Sequence, residues 1–401
     1  MSRLKELIDQ FCSDGVEYKK LGEVVSLERG KRVVRKQLSE TEGYPVYQNS
    51  LTPLGYYYQS NYPKDSTFII VAGAAGEIGY SDKDFWAADD CFVIVCPEHV
   101  SSRYIYHFLL NRQQSLYSKV RKASIPRLPR QAIDNIKIPV PPMAVQREIV
   151  RILDDYSART AELVKELEVE LEARKKQYEF YRDQLLRFDN VRRGRIADLQ
   201  WKTLGDITRV FSSARVHKKD WTDSGVLFLR SSDLISKYNG VANPRGKAYI
   251  SYELYEKLSV KSGKVRKGDL LITGGGTIGI PYIVSNDEPI YMKDADVICI
   301  QKSEKIKSKF LYHYFLSTKF RNYLNNITHN ATIAHYTISQ IEKTPVPVPP
   351  LAEQECIVAI LDRFNVLCND LTSGLPAEIA ARQKQYEYYR DKLLSFKELE
   401  A

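Results

Sequence analysis

Long apolar runs are missing from this chain. None of its 401 residues fall in a stretch approaching the roughly 20 needed to cross a bilayer, and the opening Met1-Ser2-Arg3-Leu4-Lys5-Glu6 has no apolar core of a signal peptide. The expectation is a soluble, cytoplasmic protein without membrane association. Cysteine is sparse and unpaired in pattern: Cys12, Cys91, Cys96, Cys299, Cys356 and Cys368 form no Cys-x-x-Cys pair, which excludes a regular disulfide framework and points to reduced, mostly packed thiols. The six histidines are scattered, and none has metal-ligand spacing with cysteine or carboxylate, so no metal site is expected. His107 and His313 occupy matching helical positions and read as structural.

Catalytic signatures are missing too. Two glycine-rich loops, Ala72-Gly73-Ala74-Ala75-Gly76 and Thr273-Gly274-Gly275-Gly276-Thr277, follow strand-like runs, but neither has the Gly-Lys-Ser/Thr ending of a phosphate loop and neither opens a helix. They read as strand-rim turns that let backbone approach a partner. There is no Gly-x-Ser-x-Gly elbow and no Asn/Asp-Pro-Pro-Tyr/Phe grip for a flipped base. A non-catalytic binder with no catalytic residue and no cofactor of its own is expected.

What is present is charge, tyrosine and a repeat. Net charge is +9 and the pI about 9.0, which favours a polyanionic partner. Tyrosine numbers 27, against 14 Phe and 3 Trp, a ring with a hydroxyl that suits wet interfaces. Val140-Pro141-Pro142-Met143-Ala144-Val145-Gln146 recurs as Val348-Pro349-Pro350-Leu351-Ala352-Glu353-Gln354, an offset of 208. At the same offset Lys176-Gln177-Tyr178-Glu179-Phe180-Tyr181-Arg182-Asp183 recurs as Lys384-Gln385-Tyr386-Glu387-Tyr388-Tyr389-Arg390-Asp391.

Between those marks, apolar residues return at three- and four-residue steps from Met143 to Phe188, a helix of roughly 69 Å at 1.5 Å per residue. The seam includes Leu153, Leu167, Tyr178 and Tyr181 in the first copy and Leu361, Leu371, Tyr386 and Tyr389 in the second. Gly374-Leu375-Pro376 should kink or interrupt the second copy. Two such helices most simply bury their stripes against each other, antiparallel. The proline-rich entries read as stiff elbows.

The intervening segments begin alike (Tyr18-Lys19-Lys20-Leu21-Gly22 and Trp201-Lys202-Thr203-Leu204-Gly205) and close alike, so they read as one α+β fold with diverged surfaces. The boundaries expected are an N-terminal helix over 1–17 beside the C-terminal helix, α+β domains over 18–138 and 191–346, and repeated coiled-coil helical segments over 139–190 and 347–401. The N-terminal Leu4-Lys5-Glu6-Leu7 echoes both helix ends, which makes the duplication circular and pseudo-two-fold.

Basic, amide and hydroxyl side chains cluster in corresponding parts of both segments. Arg, Lys, Asn and Gln read base edges, and Lys and Arg also hold phosphates. In the first segment the candidates for DNA contact are Arg29, Lys31, Arg32, Gln48 and Asn49, with Lys119, Arg121, Lys122 and Arg127. In the second they are Ser212, Arg215, His217, Arg230, Ser231 and Thr277, with His329, Asn330 and His335.

The paired Pro-Pro-x-Ala-x-Gln helix openings, the Gln-Tyr-Glu-x-Tyr-Arg-Asp-x-Leu-Leu endings and the two diverged α+β segments resemble the specificity (S) subunit of type I restriction-modification enzymes, over essentially the whole chain. The resemblance implies two target recognition domains, each reading half of a bipartite asymmetric double-stranded DNA site. It implies two helices forming an antiparallel coiled coil that sets the spacer and docks two methyltransferase (M) subunits, with Gln146, Leu153, Leu167, Tyr178, Tyr181, Gln354, Leu361, Leu371, Tyr386 and Tyr389 as candidates for that helical contact. It further implies that S-adenosylmethionine chemistry resides in the M subunits and ATP- and magnesium-dependent work in restriction (R) subunits, where these are present. A stand-alone DNA-binding regulator or recombination accessory protein, or a scaffold that binds only protein, remains open on residues alone.

Overall fold

The computed structural model describes residues 2–188, 199–328, 335–370 and 373–399. The chain divides into two compact units, Met1–Glu166 with Ala380–Ala401, and Leu167–Ile379.

Each unit is built on a four-stranded antiparallel sheet. In the first unit the strands lie in the order Ser26–Arg29, Cys91–Val95, Ser66–Ile70, Ile78–Ser81. In the second, Val210–Ser212, Val297–Ile300, Leu270–Thr273 and Pro281–Ile283 repeat that order and sense. The central strands are apolar on both faces because both are covered. Ile69 packs with Ile94, Ile105 and Phe108, whereas Phe68 and Ile70 turn the other way onto Phe85, Ala87 and Val93. The Phe68 ring centroid is 4.6 Å from Tyr47 and 5.3 Å from Phe85; burying such a side chain contributes about 1.5–3 kcal/mol. Leu270 and Ile272 pack with Phe310 and Leu311, and Leu271 packs with Met292 and Val297.

One covering layer is a helix. Ser102–Ser118 begins where the Ser101 hydroxyl accepts from the Tyr104 amide at 3.4 Å, and it buries Tyr104, Ile105, Phe108, Leu109 and Leu116 at helical spacing. In the second unit Ser308–Leu316 buries Phe310, Leu311, Tyr314 and Phe315. Each helix reaches the proline joint through a tyrosine: the Tyr104 hydroxyl donates to the Pro139 carbonyl at 3.1 Å and Tyr314 to that of Pro345 at 2.9 Å. The other layer is a smaller sheet, and here the units diverge. The first has Tyr56–Tyr57, Tyr44–Tyr47 and Trp86–Ala87. The second has Trp221–Thr222, Tyr249–Ile250, Val226–Leu229 and Ile290–Met292, plus helices Ser231–Tyr238 and Tyr252–Ser262.

Met143–Leu185 forms one helix of 43 residues. The second repeat copy instead forms Leu351–Asn369 and Leu375–Leu393. A Cβ on Gly374 would lie 2.5 Å from the Val366 carbonyl oxygen, so only glycine fits at this break. Pro376 then sits in the first turn of the next helix, where its missing N–H costs nothing. In the first unit Tyr156 meets Tyr386 at 5.8 Å and Tyr389 at 5.7 Å. In the second Tyr181 stacks on Phe364 at 5.5 Å, and Tyr178 meets it at 6.5 Å. A buried histidine pins each sheet-covering helix to the adjoining long one: His107 Nε2 lies 2.7 Å from Asp154, and His313 Nε2 2.8 Å from Asp362.

The two ends of the chain meet within the first unit. The Val16 amide donates to the Lys397 carbonyl at 2.8 Å and Leu399 returns to Val16 at 3.0 Å, while Leu4 and Cys12 share a core with Leu394.

Candidate nucleic-acid interface

The glycine-rich loops form a rim of the same construction in both units. In the first, the Val71 amide donates to the Asp90 carbonyl at 2.8 Å, Leu128 donates to Val71 at 2.9 Å, and Gly76 donates to Ile70 at 2.8 Å. In the second, Gly274 donates to Asp296 at 2.8 Å, Tyr336 to Gly274 at 2.9 Å, and Gly279 to Thr273 at 2.7 Å. Gly73 at φ +83° and Gly276 at φ +73° hold the left-handed turn. At Gly73 the need is doubled, because a Cβ would also fall 2.8 Å from the Asn49 Cβ.

Around the first rim the structure brings three predicted clusters together. The Ala74 amide donates to the Asn49 carbonyl at 2.9 Å, Gly73 donates to Pro126 at 3.2 Å, and Ala72 bridges Arg127. Cys91, next to the rim aspartates, donates its thiol to the carbonyls of Tyr47 and Gln48 at 3.3 and 3.2 Å, and burial pushes that thiol up to about 12. It is a packed group, not a nucleophile. Lys31 joins the same surface through its amide on Ala87 at 2.9 Å and its carbonyl under the Trp86 indole at 2.8 Å. Arg29, Lys31, Arg32, Asn49, Lys119, Arg121, Lys122 and Arg127 are exposed, and Gln48 is half-buried. Arg29 has its Nε on the Asp89 carbonyl at 2.8 Å, which fixes the direction of its guanidinium.

In the second unit Arg215, His217, Arg230 and Ser231 line one cleft of about 1030 Å³. Thr277 is exposed at the loop tip beside Gly276, and His335 is exposed and bridges Gly275, as Arg127 bridges Ala72 in the first unit. His329 and Asn330 lie outside the described residues. Two readings need correcting. Arg230 is buried and already committed: Nε and Nη2 grip the two Asp233 oxygens at 2.8 Å each, and Nη2 also donates to the Gly246 carbonyl. Burial alone would raise the Asp233 carboxyl, but bonds from Arg230 and Asn243 hold it below the usual range. Arg230 therefore shapes the cleft and does not offer a free fork to a base. Ser212 is likewise occupied, donating to the Val297 carbonyl at 3.0 Å and accepting from Ala295 at 3.2 Å. Sequence reasoning missed Arg245, which lines the same cleft from the turn after Pro244; Lys293 lines it too, but its ammonium is paired with Asp296.

The helix-contact candidates sort by exposure. Leu153, Leu361 and Tyr178 are buried in their own units, and Leu167 and Tyr386 are half-buried. Tyr181 and Tyr389 are 40% and 37% exposed, and Leu371 lies outside the described residues. Gln146 and Gln354 are fully buried and cannot meet a partner: each is a clamp at its proline joint. Gln146 accepts from the Ser101 amide at 2.9 Å and donates to His99 and Pro141 at 3.1 and 2.7 Å. Gln354 accepts from Lys307 at 2.8 Å and donates to Lys305 and Pro349 at 3.2 and 2.8 Å. The signal that was passed over is Phe180 and Tyr388, 208 residues apart, 59% and 62% exposed, each edge-on to the next tyrosine at 5.5 and 5.4 Å.

The family model described as the type I restriction modification DNA specificity domain matches residues 13–173 and 197–381. The chain belongs to that family. A type I restriction enzyme specificity subunit of Haemophilus influenzae is 33% identical over 95% of this chain and 96% of its own. The EcoR124I/EcoR124II specificity subunit of Escherichia coli is 30% identical over 99% and 97%. A solved chain from work on complex assembly and conformational transition of the type I system shares the fold, with TM-score 0.62, 18% identity and 95% and 97% coverage. Family membership accounts for two similarly built rims in one chain. Among the described residues, no helix is long and apolar enough to cross a membrane and no His/Cys/Asp/Glu group could hold a metal ion.

Proposed function

We propose that this chain is the DNA-reading subunit of a type I restriction-modification complex, in which each unit reads one half of a bipartite, asymmetric duplex site. The observation that carries the proposal is the duplicated rim: three matching backbone hydrogen bonds at the glycine loops, surrounded by different side chains in the two units. A common frame with unlike reading groups is what two unlike half-sites require. The reading surfaces belong to recognition domains over 18–138 and 191–346, with helical segments over 139–190 and 347–401 and the N-terminal 1–17 beside the last helix.

In this proposal the long helices form an antiparallel coiled coil. Supporting it, residues pair in opposite order within each unit: Lys175 and Cys368 line one cleft while Tyr181 meets Phe364, and Ile149 and Leu153 share a core with Leu394 while Tyr156 meets Tyr386. Two M subunits dock on these helices, supplying adenine methylation from S-adenosylmethionine, and two R subunits, in a system that restricts, supply ATP- and magnesium-dependent cleavage. This chain contributes binding and geometry in the cytoplasm, with no catalysis and no cofactor of its own. Each base pair of spacer corresponds to about 3.4 Å of separation. Inserting a short helical run near Glu166–Glu170 is expected to change spacer length and leave both half-sites intact. Unchanged spacing would overturn the ruler.

A further inference from the structure

Ile125 is 54% exposed, the most exposed isoleucine among the described residues. It stands on a built support. Arg121 and Arg127 exchange two backbone hydrogen bonds of 2.9 and 3.2 Å and close a loop of residues 122–126. The base of that loop is anchored on the rim, through Gly73 on Pro126 at 3.2 Å and buried Leu128 on Val71 at 2.9 Å. Lys119, Arg121, Lys122 and Arg127 flank the tip in the chain, all exposed, and no acidic residue occurs from Lys119 to Arg130. An apolar tip left in water on a loop closed by a β-bridge, with exposed cations before and after it in the chain, matches the chemistry by which apolar wedges enter a base stack while cations hold the flanking phosphates.

We propose that Ile125 inserts between adjacent bases of the half-site read by the first unit, unstacking one step and bending the duplex there. The inference rests on the DNA-reading function proposed above. In sequence the arrangement recurs: Ile333, Ala334, His335 and Tyr336 stand 208 residues after Ile125, Pro126, Arg127 and Leu128. Tyr336 makes the same rim bond as Leu128. Ile333 itself lies outside the described residues.

The test uses the full chain assembled with its M subunits on duplexes carrying the methylation-mapped site, with 2-aminopurine substituted one position at a time. Wild type is expected to brighten the probe several-fold at one step outside the methylated adenines, which a methyltransferase extrudes by itself. Ile125→Ala is expected to abolish that signal and weaken binding about tenfold, while Ile125→Met retains both. An undiminished signal in Ile125→Ala overturns the insertion. So does a wild-type complex that shows no such step but loses affinity when a thymine is replaced by uracil, which would make Ile125 a methyl reader. A wild-type complex that binds none of the duplexes overturns the DNA-reading function itself and the insertion with it.

Discussion

Replacing Gln146 or Gln354 by alanine separates a structural clamp from a docking residue. Each amide is fully buried and makes three hydrogen bonds, one accepted and two donated, to backbone groups on both sides of a proline joint. Truncation strands one N–H and two carbonyls, at about 1 kcal/mol or more each, so a loss of about 3 kcal/mol is expected. For a unit of roughly 200 residues that lowers the thermal midpoint by about 6–12 °C. Scanning calorimetry on the purified chain reads it directly. Gln146→Glu should be nearly as damaging, because a carboxylate cannot donate to His99 and Pro141. A midpoint within about 2 °C of the parent, together with lost binding of M subunits, would refute the clamp and restore the docking role.

Arg230→Ala is expected to cost about 1.5–3 kcal/mol in a denaturant titration, since it removes the two guanidinium bonds to half-buried Asp233 and leaves that carboxylate only Asn243 and a backbone amide. Arg127→Ala, at an exposed position, should leave stability unchanged and reduce the salt dependence of DNA binding by about one phosphate contact. His107 is held below the ordinary imidazole range because burial disfavours its charged form, despite the opposing bond to Asp154. The folded unit therefore favours neutral His107: that stability is full above the unfolded value of about 6.5 and is lost as pH falls below it. His107→Gln should flatten the decline of the midpoint between about pH 7 and pH 5, and an equally steep decline would count against this role. Phe180→Ala and Tyr388→Ala, both at exposed helix positions, should each weaken M-subunit binding about tenfold or more in calorimetric titration with no change in midpoint; unchanged affinity in both would remove them from the docking surface.

Much of the frame was legible because its signals are local. Proline entries, three- and four-residue apolar steps and Gly374-Leu375-Pro376 act within a turn or two, and the helices follow them. The rim loops were legible as glycine spacing, but not the neighbours that surround them. Asn49 reaches Gly73, and His335 reaches Gly275, only through the sheet order. Ser212 was misread because its acceptor, Val297, is 85 residues away. Arg230 was misread although Asp233, three residues on, was in view: an acid one turn from a cation is a partner to check before a base is assigned. Gln146 and Gln354 looked like surface amides at a helix start, and their burial follows from loops some 45 residues earlier in sequence. Phe180 and Tyr388 were passed over because they lie off the seam, which is why they are exposed.

The central claim is that two similarly built units read two unlike half-sites, and genome-wide mapping of adenine methylation in cells expressing this chain with its M subunits tests it most directly. The expected result is a single asymmetric motif of two unlike blocks separated by a fixed unread spacer, of which exchanging residues 18–138 for those of another family member changes one block and leaves the other and the spacer intact. A continuous or palindromic motif, or an exchange that alters both blocks together, would contradict it.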